Sequence, residues 1–361
     1  MREEEKALFN ELCNFKNKTF NEEHLEYASP QVLGMLFFNR MQGMAYDRMR
    51  KYEVLGKVNR EFRNSLKNAY EQNVEKNRGY MSSLKYLSEI LSESKSKVAM
   101  LKGAYLCSHY PAGCRTSNDV DLLVSSEDVT DIGKILSDAG FSQGYIKNDI
   151  FVHASRKEVI ESKMTRGETV PYVKKMDFPF MKYLEVDINF SLDYKNSDND
   201  IVSGMIKSAV VAELEDVKIP TLEKSDFFIH LCAHLYKEAT TMPWIRMRRD
   251  MTLYKYADIY LLLSEMNAEE TIRVFDKASG IGMAEICAYC ILETADLFDV
   301  NNIKAVITAQ YVLANNPDFR LNVISPRDNK IYKYKTKNAA ERFFMENRIE
   351  DLTEVSENEK T

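Results

Sequence analysis

Two aspartates, Asp119 and Asp121, stand at the mouth of a short apolar run that ends at Val124. Side chains alternate across a strand, so positions i and i+2 share one face, about 6–7 Å apart at Cα. Two carboxylates at that spacing suit one divalent ion, or the bridge between a pair of ions. Val120, Leu122 and Val124 either point the other way or continue the strand into a core, and burial of the strand would fix where both carboxylates aim. Packing alone gives no reason for such a pair. Unpaired buried charge is costly, and converging carboxylates without a cation repel each other; a metal ion resolves both problems.

The elements that must position this pair lie just upstream. The run Val98-Ala99-Met100-Leu101 stops at Lys102-Gly103, a helix-length segment follows, and a loop containing Arg115, Thr116, Ser117 and Asn118 feeds the Asp119 strand. Taken together, Leu101-Lys102-Gly103, Tyr110-Pro111, Arg115, Ser117 and Asp119-Val120-Asp121-Leu122-Leu123-Val124 resemble the signature of the uncharacterised nucleotidyltransferase family. That family is a distant branch of the polymerase-β-like nucleotidyltransferases, and the likeness runs from about Leu33 to Leu263. The resemblance implies a third acidic residue on a later strand, and Tyr183 to Leu192 (YLEVDINFSL) supplies it as Asp187. In that strand Glu185, Asp187 and Asn189 share the polar face; family members often carry His where this chain has Asn189. More familiar members of the superfamily carry Gly-Ser at Lys102-Gly103, whereas Lys-Gly matches the narrower family.

What the resemblance implies is transfer of a nucleoside monophosphate from a nucleoside triphosphate, ATP among the four, to an acceptor, with pyrophosphate leaving. Asp119 and Asp121 are expected to hold two Mg²⁺ or Mn²⁺ ions. Asp187 is expected to hold the catalytic one and to take the nucleophile's proton. Gly103, lacking a Cβ, would let the backbone approach the phosphates, with the helix N-terminus aimed at them and Lys102 adding charge or pointing into the sheet. Arg115 and Ser117 either bind phosphate or, for Arg115, hold the loop by pairing with an aspartate. Two other readings stay open: a degenerate nucleotide-binding regulatory module, and a metal-dependent glycosyltransferase, whose site also uses Asp-x-Asp but which leaves Lys102-Gly103 and Asp187 unexplained.

The fold expected is α+β, a small mixed-sheet core flanked by helical regions. Residues 1–95 read as helical, 96–220 as the catalytic α/β core, 221–325 as helical again and 326–361 as a polar, disordered tail. Ser29-Pro30 looks like an N-cap with proline at the first helical position, opening one amphipathic helix through Leu33, Leu36, Phe37, Met41, Met44 and Ala45. A longer helical stripe runs from Phe62 through Leu66, Tyr70, Val74, Met81, Leu84 and Leu87 to Leu91. Ser126 to Ala139 reads as a helix, Phe141 to Ile146 and Ile150 to Ala154 as paired strands, and Ser155 to Phe180, with both signs of charge, as a loop or insertion.

With 361 residues and 45% hydrophobic content the chain can bury a substantial core. Its net charge of −6 argues against a broadly basic nucleic-acid surface and leaves a small molecule, a protein or an RNA end as acceptor. No signal pattern or membrane-length apolar run is seen, so the expected compartment is the cytoplasm. The six scattered cysteines fit reduced thiols; Cys287 and Cys290 form a CxxC in a helical pattern without a partner pair for zinc. His230 and His234, spaced i and i+4, can line a surface or face the catalytic cleft. Arg246, Arg248, Arg249 and Lys255 fit triphosphate binding or a solvated helix, and Asp258 a structural role. Lys330 to Lys337 (KIYKYKTK) reads as a solvated segment in preference to a single-strand binding stripe.

Overall fold

The structure, a computed structural model, describes residues 1–165, 167–192 and 199–355. The chain divides into two compact units, one made of residues 1–63 with 228–361 and the other of residues 64–227. This differs from the expected boundary near residue 95, because most of the long helical stripe packs with the sheet.

In the first unit, helices α1 (Glu3–Cys13), α2 (Pro30–Phe38) and α3 (Gln42–Lys51) bury Leu8, Phe9 and Leu12, Val32 and Leu36, and Ala45 and Met49. Ser29 caps α2 through its hydroxyl, which accepts from the Val32 N–H at 3.3 Å, with Pro30 in the first turn. The single helix expected over Leu33 to Ala45 is broken after Phe38. There Arg40 takes a left-handed φ of 56°, and the Asn39 amide bonds both Met35 O and the Leu253 N–H, each at 2.9 Å. Hydrophobic spacing survives such a break, so periodicity alone does not show it.

Helix α4 (Arg60–Ser92) enters the second unit, where Tyr80, Leu84, Leu87 and Leu91 face the sheet core at i, i+4, i+7 and i+11 spacing. That sheet contains β1 (Val98–Met100), β2 (Asp119–Val124), β3 (Ser142–Lys147), β4 (Ile150–His153), β5 (Tyr172–Phe178) and β6 (Met181–Asn189), in the order β1-β2-β6-β5-β3-β4. Only β2 and β6 run parallel; the other pairs are antiparallel. The fold is therefore α+β with a mixed sheet. Val120, Leu122 and Val124 of β2 and Val186 and Ile188 of β6 fill one face with α4 residues and with Ile132 and Leu136. Those two come from α6 (Val129–Asp138), which follows α5 (Gly103–Leu106) in the chain.

Two expectations fail in this unit. The segment after Lys102 is one helical turn, α5, and not a full helix. Residues 155–180 hold a helix, α7 (Arg156–Thr165), and the sheet strand β5. The alternation of β5 is masked by Lys174, which lies on the Tyr172–Phe178 face. Its ammonium stands 4.4 Å from the Tyr86 ring centroid and donates to Tyr86 Oη at 2.6 Å and Ala139 O at 2.7 Å. Helix α8 (Asn199–Lys207) and the hairpin β7 (Val210–Leu214) to β8 (Val217–Thr221) complete the unit.

The chain returns to the first unit within α9 (Lys224–Ala239). There follow α10 (Met242–Arg246), α11 (Leu253–Glu265), α12 (Ala268–Gly280), α13 (Ala284–Leu297) and α14 (Ile303–Val312). Cys287 and Cys290 are fully buried in α13, where Cys290 Sγ donates to Cys232 O at 3.3 Å and burial pushes the Cys232 and Cys290 thiols up. Buried thiols of this kind are inert.

The tail expected from residue 326 is instead structured as far as Val355. Strands β9 (Asn322–Ser325), β10 (Lys330–Tyr334) and β11 (Leu352–Glu354) form a sheet with β10 central, and α15 (Ala339–Phe343) packs its Phe343 on Phe9. Two lysines of KIYKYKTK pair with acids, Lys330 with Glu354 at 2.8 Å and Lys333 with Asp318 at 3.0 Å. Composition concealed this because the anchors are charged: Arg342 and Arg348 each meet a buried carboxylate. The remainder of the expected tail, 356–361, lies outside the described residues.

Candidate active site

Parallel pairing sets the register that matters. Asp119 lies opposite Glu185, Asp121 opposite Asp187 and Leu123 opposite Asn189. Adjacent strands lie about 4.8 Å apart and partners in register share a face, so Asp119, Asp121, Glu185, Asp187 and Asn189 form one polar surface. The alternate residues of both strands supply the apolar core on the other side, which is why the carboxylates cannot turn away.

The surroundings are short of cations. Lys102 Nζ donates to Asp121 Oδ1 at 2.7 Å, the two side chains 19% and 10% exposed. Lys102 also holds φ 45° and ψ −117°, a conformation glycine favours and one that costs a side-chain-bearing residue about 1–3 kcal/mol. Asn189 Nδ2 donates to the same Asp121 oxygen at 3.4 Å and so braces the aspartate. Ser117 Oγ donates to Asp119 Oδ1 at 2.6 Å. Arg115, buried, donates to Thr116 O at 2.6 Å and so helps hold the loop. Gly103 makes room for this loop: a Cβ there would stand 2.7 Å from both Ser117 Cβ and Oγ. The close approach it permits is to Ser117. Helix α5 is too short to bring a sizeable dipole to bear on phosphate.

Electrostatics follow from this arrangement. Partial desolvation would raise Asp119, but the Ser117 hydroxyl and the charges of Lys102 and Arg115 outweigh it and hold the carboxyl below its ordinary range. Burial pushes Asp121 up, Lys102 opposing and Asp119 adding to the rise. Asp187 is pushed well up, by burial first and then by Asp121 and Asp119, with Glu168 adding to them and Lys102 opposing. Burial and Asp119 likewise raise Glu185.

Two members of the site escape the sequence reading, and so does the neighbour of a third. Tyr80 of α4, fully buried, donates its hydroxyl to Asp119 O at 2.8 Å and ties the helix to the mouth of β2. Glu168 bridges to Asn189 across the backbone in a stretch read as loop. Glu185 is visible in the alternation of β6, yet only the register shows it beside Asp119. His230 and His234 belong to the other unit, where His234 Nε2 lies 3.5 Å from Glu238 Oε1. Arg246, Arg248 and Arg249 are exposed in that unit, Asp258 is buried in α11, and Lys255 pairs with Glu238 and lies over the Trp244 ring.

Among the described residues no group of three His, Cys, Asp or Glu side chains is arranged, as it stands, to hold a metal ion. The donor set nonetheless fits a hard dication: carboxylate oxygens from two adjacent strands aim from one face, and one lysine is ion-paired among them. Among the described residues no helix is long and apolar enough to cross a membrane.

The family model described as "Uncharacterised nucleotidyltransferase" matches residues 29–299. No curated protein matches the chain. Among solved structures, an antigenic nucleotidyltransferase-like protein from Paracoccidioides brasiliensis is similar at 12% identity and a TM-score of 0.34, over 52% of this chain and 76% of that one. By the extent of the family match, the chain belongs to the uncharacterised nucleotidyltransferase family.

Proposed function

We propose that the protein is an active, metal-dependent nucleotidyltransferase that moves a nucleoside monophosphate from a nucleoside triphosphate to an acceptor, releasing pyrophosphate. The observation that carries this reading is the register of Asp121 with Asp187 on adjacent parallel strands, with Asp119 two residues away on the same face. Bound Mg²⁺ or Mn²⁺ would supply charge stabilisation for the attacking and leaving oxygens of an in-line displacement. Asp119 and Asp121 would hold both ions, and Asp187 would hold one of them.

The chain's own residues do the rest. An acceptor oxygen forms a bond to the α-phosphorus while the bond to the pyrophosphate oxygen breaks, and Asp187 receives the acceptor's proton. Lys102, paired with Asp121 in the metal-free protein, would supply an ammonium for the triphosphate charge. Ser117 and Arg115 hold the approach loop and orient Asp119. The six buried free cysteines support a reducing, cytoplasmic setting.

The test incubates purified protein with each α-phosphate-labelled nucleoside triphosphate, Mg²⁺ or Mn²⁺, and a cell extract as acceptor source. Label transfer should fall at least about a hundredfold in Asp121→Asn and Asp187→Asn. Absence of transfer from folded wild-type protein with every nucleotide would sink the enzyme reading in favour of a nucleotide-binding module.

A further inference from the structure

At the end of β6 nearest Asp119 a cavity of about 340 Å³ opens beside the hairpin that joins β5 to β6. Its lining includes the aromatic residues Phe178, Phe180 and Tyr183 and the polar residues Asn118, Asp149 and Glu185. Glu185 joins this cavity to the carboxylate face: it stands in register with Asp119 and two residues before Asp187 on the same side of β6. One ligand can therefore touch the cavity and present a group to the reacting centre, since i and i+2 positions lie about 6–7 Å apart.

The chemistry of the lining points to the charge of its occupant. Glu185 is half-buried, and its carboxylate has no hydrogen-bond or ion-pair partner among the described residues. The one lysine in the lining, Lys182, is exposed and engaged within the lining, donating to Asp149 O at 2.9 Å and lying 5.5 Å over the Tyr183 ring, and it makes no ion pair with Glu185. Phe180 stands 58% exposed and holds a left-handed φ of 58°. A bulky side chain in that region is rare and strained, so the turn keeps an aromatic ring at the cavity rim at a cost to the fold. Aromatic faces and an unanswered carboxylate both attract a cation and disfavour an anion.

We propose that this cavity is the acceptor site, and that the acceptor is a small hydroxyl-bearing molecule with a protonated amine seated against Glu185 and the aromatic walls. The assignment rests on the transferase reading above. The acceptor hydroxyl oxygen bonds to the α-phosphorus, the bond to the pyrophosphate oxygen breaks, and the hydroxyl proton passes to Asp187.

Titration calorimetry on the full chain tests it with three probes of one shape: tyramine, the neutral 4-ethylphenol and the anionic 3-(4-hydroxyphenyl)propionate. Tyramine should bind saturably and about tenfold or more tighter than either of the others. Glu185→Gln should erase that preference. Phe180→Gly, which suits the left-handed backbone, should keep or raise the melting temperature while weakening tyramine several-fold, separating binding from folding. Asp187→Asn should bind tyramine as wild type does while losing label transfer. Tyramine no tighter than the neutral or anionic probe, or a preference that survives Glu185→Gln, would overturn the site. Transfer of label is scored separately, so failure of the transferase reading is recognised independently of the probe result.

Discussion

Two regions of this molecule bury carboxylates, and they treat them in opposite ways. In the unit of residues 1–63 and 228–361, Glu293 is fully buried, with Arg342 at 2.6 Å and Arg320 at 2.8 Å. Asp250 there is held by both ends of the Arg348 guanidinium at 2.7 and 2.8 Å. In the unit of residues 64–227, of four carboxylates on one sheet face only Asp121 has an ion pair among the described residues, with Lys102. The first arrangement has the form of a structural lock, with bidentate guanidinium geometry and satisfied oxygens. The second is a charge imbalance kept in place by the hydrophobic face behind it, and a proton or a positively charged ligand would relieve it.

This contrast is broken most severely by Glu293→Gln. Arg342, 1% exposed, would lose its charged partner, and leaving a buried charge unmatched costs about 3–5 kcal/mol. The midpoint of urea unfolding of the first unit should fall accordingly. A change below about 1 kcal/mol would show that the network contributes specificity and little stability.

On the other face the sign reverses. Asp187→Asn removes one of several converging like charges while keeping the amide's shape, so the metal-free protein should gain about 1 kcal/mol as transfer is lost. Stability falling in step with activity would place Asp187 among the structural carboxylates.

The difference between these regions also explains what could be read from the sequence. Asp119 and Asp121 are legible because strand alternation is a local rule, and the core residues Val120, Leu122 and Val124 obey it equally. Asp187 became legible through the family's motif, while its partnership with Asp121 is a register 66 positions along the chain that no local pattern encodes. Tyr80 and Glu168 act through contacts whose sequence signatures are those of an ordinary helix and an ordinary loop. The C-terminal sheet was hidden for the complementary reason: Arg342 and Arg348 read as solvated charge until Glu293 and Asp250 are found to receive them.

A smaller effect sharpens the role of Lys102. Its backbone occupies a glycine-like region, so Lys102→Gly and Lys102→Ala both lose the ion pair to Asp121, but only the alanine keeps the strain. The glycine variant should be more stable by about 1 kcal/mol in urea. Equal stability would show that the loop relaxes once the ammonium is gone, and that Asp121 is what holds the conformation.

The smallest effect concerns a satisfied carboxylate at the start of α1. Glu5 accepts from the Arg2 N–H at 2.9 Å and lies 3.3 Å from the Arg2 guanidinium. The Arg2 N–H first, then the Ser29 hydroxyl, hold its carboxyl down at about 2 against an ordinary 4.5. A carboxyl lowered on folding contributes stability that is fully present above its ordinary value and lost as pH falls toward the folded one. Between pH 5 and pH 2.5 the urea midpoint of wild type should therefore drop more steeply than that of Glu5→Gln, which has no proton to gain. Parallel curves would mean that the α1 terminus frays before the carboxyl titrates, so that this hydrogen-bonded carboxylate, unlike Glu293, contributes nothing to the global transition.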